Sequence, residues 1–185
     1  MSVLVPLAVA AALSVGVDEN PGARVPAELR FVDAQGARVT LGDALGGDAP
    51  AVLVLAYARC TLLCNVVLAN LASAVRGLDR ERGREPGRDV RLVIVDLDER
   101  VRPAEAAKKQ ATLLAEAGLP GEPARWPYLA GEGDSVARLA AVLGFRFAWD
   151  PRTQQYVHPA VVFVLTPDRR ISRYLYGIEL APATL

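Results

Sequence analysis

The chain has 185 residues, 52% of them apolar, and its 21 basic and 21 acidic side chains cancel to a formal net charge of zero. That length and apolar share suffice for one domain with a full hydrophobic core, so no cross-link is needed for stability. Charges of both signs are mixed along most of the chain, which excludes the electrostatic footprint of a nucleic-acid binder.

Residues 1–17, "MSVLVPLAVAAALSVGV", are uncharged up to Asp18, matching the core of a signal peptide and short for a spanning helix. No Lys or Arg precedes the run. Residues 1–24 are expected to be a signal-like or anchor segment and linker, and residues 25–185 a single domain. Such a leader places the protein outside the cytoplasmic membrane or in the periplasm, free or anchored. Next, "LRFVDAQGARVTL" predicts a hairpin turning at Gln35-Gly36. "APAVLVLAY" is a continuous apolar run, as in a strand covered on both faces. It leads into Cys60 and Cys64, and Leu63, Val67, Leu71, Val75 and Leu78 then recur at helical spacing. The cysteines therefore stand where a central strand gives way to an amphipathic helix over residues 62–78.

The Arg/Gly/Pro-rich stretch at 77–89 mixes its arginines with Asp79, Glu81, Glu85 and Asp89 and reads as a solvated loop. "VRLVIVDL" is a second buried strand. Pro103 is placed to open the helix "AEAAKKQATLLAEAG", which Gly118 stops. Asp134 is expected to cap "SVARLAAVLG", with Gly144 at its end. "HPAVVFVLTPDRRISRYLY" gives a strand, a Thr166-Pro167-Asp168 turn and an antiparallel edge strand carrying Tyr174 and Tyr176. Strands alternating with helices and closing in a hairpin predict a three-layer α/β sandwich with a mixed sheet. Trp126, Trp149, Phe145 and Phe147 are expected as packing residues. Tyr57 and Arg59 flank the cysteines and could shape access to them.

Cys60 and Cys64 are the chain's two cysteines, with three residues between them, and His158 is its single histidine. Side chains four apart on a helix share a face, and the unpaired N–H groups at a helix entry favour thiolate over thiol. Three readings follow: a soft-metal site, a redox pair and a structural disulfide. Two thiolates form a soft chelate of the kind that selects Cu(I), zinc or iron–sulfur clusters. A closed zinc site wants four nitrogen or sulfur ligands, more than this chain holds, whereas a sulfur pair plus one imidazole suffices for Cu(I). The same thiolate-stabilising helix entry would serve a thiol-disulfide oxidoreductase. A disulfide closing so small a loop restrains the unfolded chain little. A thiol peroxidase would carry Thr or Ser three residues before its reactive cysteine, where this chain has Tyr57. His158, directly before Pro159 and a strand, reads by itself as a surface or hydrogen-bonded residue.

Three segments, "LVLAYARCTLLCNVVL", "AAKKQATLLAEAG" and "LGFRFAWDPRTQQYVHPAVVFVLTPDRRISRYLYGIE", give the chain from about residue 25 to 178 a resemblance to the Sco/SenC family of copper proteins. The family has a thioredoxin-like fold and helps assemble the dinuclear copper centre of cytochrome c oxidase. The resemblance implies a thioredoxin-like three-layer sandwich with an N-terminal β-hairpin and copper bound by Cys60, Cys64 and His158. It also implies a metallochaperone rather than an enzyme, with the copper-accepting subunit of a terminal oxidase as partner and a thiol reductant as a second one. The alternative within the same fold is thiol-disulfide exchange by Cys60 and Cys64 on an exported partner. In thioredoxin-like folds the proline before the strand of the closing hairpin, often cis, faces the cysteines, and Pro159 in that place would set His158 beside them. Thr61 stands where relatives usually carry proline after the first cysteine. Asp98 matches the acidic residue after the second buried strand, where it would orient a ligand or cap a loop, and Glu99 replaces the proline that usually follows.

Overall fold

The computed structural model describes residues 14–60, 63–119, 121–177, 179–181 and 183, and leaves out the side chains of residues 63, 64 and 79–82. The apolar leader therefore lies outside the described residues up to residue 13. In chain order the elements are β1 (Gly16–Val17), β2 (Arg30–Asp33), β3 (Arg38–Thr40), α1 (Leu41–Leu45), β4 (Ala51–Ala56), α2 (Leu63–Arg82), β5 (Arg91–Asp96), α3 (Pro103–Ala117), β6 (Tyr128–Gly131), α4 (Ser135–Val142), β7 (Phe145–Arg146), β8 (Ala148–Asp150), β9 (Gln155–Val157), β10 (Val161–Leu165) and β11 (Ile171–Tyr176). Among the described residues, seven strands form one mixed sheet in the order β11-β10-β4-β5-β6-β2-β3. The central β4, β5 and β6 run parallel and the flanking pairs antiparallel. No helix among them is long and apolar enough to cross a membrane.

The unbroken apolar run of β4 is explained by its place in the middle of this sheet. Successive strand residues point to opposite faces. Val52, Val54 and Ala56 accordingly enter one core with Leu68, Leu71 and Leu113 from α2 and α3. Ala51, Leu53 and Leu55 enter the other, with Leu41 and Leu45 of α1 and Leu139 of α4. The result is the three-layer α/β sandwich with a mixed sheet and an N-terminal hairpin, β2–β3, that the sequence predicts.

Several boundaries differ from expectation. Helix α2 runs through Gly77 and past the expected end at Leu78 to Arg82. A mid-helix glycine costs about 1 kcal/mol, whereas burying Leu78, 2% exposed, returns about 1.5–3 kcal/mol. Asp134 occupies the N-cap of α4 but makes no capping hydrogen bond with its side chain. The neighbouring Ser135 Oγ instead accepts from the Arg30 N–H at 3.1 Å, tying α4 to β2. Gly118 ends α3 in the left-handed conformation, as expected. The chain is also held ahead of the expected start at Val25. β1 pairs with β7, Asp18 N donates to Gly144 O at 2.8 Å, and Gly22 N donates to Ile171 O at 2.8 Å.

Gly144 is where that N-terminal segment meets the end of α4. Its φ is +63°, and a Cβ there would stand 1.8 Å from the backbone carbonyl oxygen of Asp18. Strain and clash act together, so Gly144→Ala should lower stability by about 2–4 kcal/mol, read as the shift of the urea midpoint at unchanged slope.

Candidate metal centre

Strand β4 ends at Ala56, and Tyr57, Ala58 and Arg59 turn the chain so that the Cys60 N–H donates to Tyr57 O at 3.0 Å. Cys60 is a half-buried free thiol on this turn. The described part of α2 begins at Leu63, so Cys60 lies ahead of that helix, not among its described residues, and Cys64 is the helix's second residue. The Cys64 side chain lies outside the described part of the structure. Asn65 Nδ2 donates to Cys60 O at 3.3 Å, which joins the turn to the first turn of α2.

His158 arrives from the other end of the chain, in the short link between β9 and β10. Cys60 and His158 line a single cavity of about 320 Å³, walled by Val54, Val67, Leu68, Tyr156 and Pro159. Its imidazole Nδ1 is 3.0 Å from Pro159 O. A carbonyl only accepts, so in the neutral ring Nδ1 carries the proton and Nε2 the lone pair suited to a soft metal. Burial lowers the pKa of the ring against a smaller opposing effect of the Pro159 carbonyl, so His158 is neutral at pH 7. No cis peptide bond occurs among the described residues, so the bond before Pro159 is trans, unlike the form often found at that place in thioredoxin-like folds. Among the described residues no three His, Cys, Asp or Glu side chains converge for a metal; the expected trio includes the undescribed Cys64 sulfur.

Two carboxylates past the centre of β5 hold the cysteine turn from beneath. Asp96, 0% exposed, accepts from the Ala58 N–H at 2.9 Å and the Tyr128 hydroxyl at 2.7 Å through Oδ2. Its Oδ1 accepts from the Asp98 N–H at 2.8 Å. Burial pushes its pKa up to about 6, against the pull of these three hydrogen bonds. Asp98 caps its loop by accepting from the Arg100 N–H at 3.0 Å. Arg59, beside Cys60, reaches Asp98 Oδ2 at 3.4 Å and Glu105 Oε2 at 3.3 Å. The Glu105 carboxyl is drawn down to about 2, first by its hydrogen bonds with Arg102 and then by Arg59.

Aromatic rings complete the surroundings. Tyr57, 3% exposed, meets Tyr156 edge to face at 5.3 Å, and Tyr156 meets Trp149 at 5.0 Å. The Phe145 and His158 rings are 6.1 Å apart. Burial raises both Tyr57 and Tyr156. Asp96, Arg100 and Tyr156 carried no signal in the sequence reading, because each owes its importance to a neighbour distant along the chain. Trp126 is a core residue at 1% exposed, and Tyr174 and Tyr176 lie on the edge strand β11 as expected.

The family model described as SCO1/SenC matches residues 17–184. Among solved structures, a protein of Aquifex aeolicus VF5 named for electron transfer superposes with a TM-score of 0.75 at 22% identity, over 89% of this chain and 89% of that one. ScoI of Arabidopsis thaliana with copper bound gives 0.67 at 17% identity, over 84% and 89%. A SCO1/SenC family lipoprotein from Bacillus anthracis str. Ames gives 0.67 at 17% identity, over 89% and 91%. No curated protein matches the chain. These likenesses establish the thioredoxin-like fold of Sco proteins, and with a family model spanning nearly every described residue, the chain belongs to the SCO1/SenC family.

Proposed function

We propose that the chain carries copper as cargo, held by the Cys60 and Cys64 thiolates and His158 Nε2. It passes the metal, on the outer side of the cytoplasmic membrane, to the copper-accepting subunit of a terminal oxidase while the dinuclear centre is assembled. The supporting observation is that two of these groups, far apart in sequence, line one cavity. The Nδ1 contact with Pro159 O supports it too, since an imidazole anchored through one nitrogen presents the other to a metal. Copper is bound in an Arabidopsis relative. Three ligands at an open cavity suit transfer, because a thiolate or imidazole of the recipient can add before a donor ligand leaves.

The test is an absorption spectrum and metal analysis of reduced protein reconstituted with copper, beside the His158→Ala variant. The parent is expected to show a thiolate-to-Cu(II) charge-transfer band that is shifted and weakened in the variant, with Cu(II) bound at least about tenfold more weakly by the variant. A variant that keeps the band and the affinity of the parent overturns the three-ligand site.

The free Cys60 thiol at the entry to α2 supports a second reading, thiol-disulfide exchange on a partner's cysteines. That chemistry makes no use of an imidazole ligand. Metal-free His158→Ala would then exchange with a dithiol substrate as fast as the parent, and the Cys60–Cys64 couple would have a reduction potential in the range of known exchange proteins.

A further inference from the structure

Asp98, 1% exposed, has a cation on either side. Arg59 Nη1 lies 3.4 Å from Oδ2, an oxygen with no hydrogen bond. On the other side, Arg100 Nε donates to Oδ1 at 2.9 Å. Each cation belongs to a different half of the candidate site. Arg59 precedes Cys60 on its turn. Arg100 reaches the β8–β9 hairpin, where its guanidinium carbon stands 5.4 Å from the centroid of the Trp149 ring and the group interacts with the Tyr156 side chain. Trp149 and Tyr156 are directly opposed across the hairpin, and Tyr156 lies two residues before His158.

The hairpin is a two-stranded sheet of its own, outside the seven-stranded one, and a lone pair of strands is marginal in water. Contacts from outside must hold it. Tyr57 supports it from within, through the Tyr156 ring. Arg100 supports it from outside, with tryptophan the best ring for a cation to cover. An exposed ion pair contributes little, but here the carboxylate is buried, and a buried carboxylate left without its cation is costly. The guanidinium is thereby pinned at one end and stacked at the other.

We infer that Arg100 is a positioning residue: anchored by Asp98, it clamps the β8–β9 hairpin and so sets where His158 stands relative to Cys60. Asp98 thus couples the cysteine turn, through Arg59, to the histidine hairpin, through Arg100. The effect on copper rests on the function proposed above; the clamp itself does not.

The test uses the full chain. In reduced, metal-free protein, Arg100→Gln is expected to speed amide exchange in residues 148–158 about tenfold while leaving β4 amides unchanged. Arg100→Lys, which keeps the cation but not the planar fork, should restore part of the protection. Trp149→Leu removes the other end of the contact without unpairing Asp98 and should loosen the same residues; the double variant should add little to either single one. In copper-loaded protein, Arg100→Gln should weaken the nitrogen coupling from His158 in the Cu(II) resonance spectrum and lower Cu(II) affinity about tenfold, with Cu(I) affinity within about twofold of the parent because the thiolates dominate it. Unchanged exchange in Arg100→Gln and Trp149→Leu overturns the clamp, and a loosened hairpin with an unaltered His158 signal overturns its role in positioning His158. A parent showing no His158 coupling overturns the proposed ligand set instead, and the exchange data alone then decide the clamp.

Discussion

Replacing Cys60 by serine is expected to leave a folded protein that loses Cu(I) by a factor on the order of a thousand, well beyond the ten- to hundredfold typical of losing an outer partner of a ligand. Cys60 is half-buried on a turn that Tyr57 O and Asp96 hold through the backbone, and serine preserves that backbone and nearly the same shape. What disappears is the soft donor: a serine hydroxyl is hard and remains protonated at pH 7, and Cu(I) strongly prefers thiolate. Competition with a Cu(I) chelator measures the affinity, and thermal unfolding of the metal-free variant shows whether the fold survives. Equal competition by parent and variant would remove Cys60 from the ligand set. Serine at this position also abolishes thiol exchange, so His158→Ala separates metal carriage from redox chemistry: it weakens the first and spares the second.

How far the sequence could be read depends on how locally each feature is determined. The β4 run and the Val67–Leu78 spacing were legible because burial on two faces or on one stripe leaves a mark at regular intervals along the chain, and the cores follow it. Strand β6 left no such mark. Tyr128–Gly131 is a strand because β5 and β2 flank it, not because four residues that follow a proline and end in a glycine prefer that conformation. The β8–β9 hairpin escaped for the same reason, since its stability lies in contacts with Arg100 and Tyr57. At the site, cysteine and histidine announce themselves by chemistry and scarcity, and family resemblance joined His158 to the pair. No resemblance pointed to Asp96. A carboxylate at the end of an apolar strand reads as the strand's exit into solvent, and only the fold places it beneath the Ala58 N–H and the Tyr128 hydroxyl.

That buried carboxylate should be visible in the pH dependence of stability. The folded chain holds the Asp96 proton up to about pH 6, whereas the unfolded chain releases it near 3.8. Its contribution to stability is therefore greatest below pH 3.8, falls as pH rises towards 6 and is flat above. The span of about two pH units corresponds to about 3 kcal/mol. His158 acts in the opposite sense, because burial lowers its folded pKa and costs stability as pH falls. The Asp96 contribution is best read as the difference between parent and Asp96→Asn in urea unfolding from pH 4 to 7. Asparagine cannot titrate, and with one acceptor oxygen it leaves either the Ala58 or the Asp98 N–H facing an amide group, at about 1–3 kcal/mol. At pH 4 the variant should be the less stable protein. Towards pH 7 the parent gives up its advantage as Asp96 ionises, and the two curves should converge or cross. A constant difference across the whole range would mean that Asp96 keeps the ordinary carboxylate pKa despite its burial, with the three donated hydrogen bonds fully offsetting desolvation.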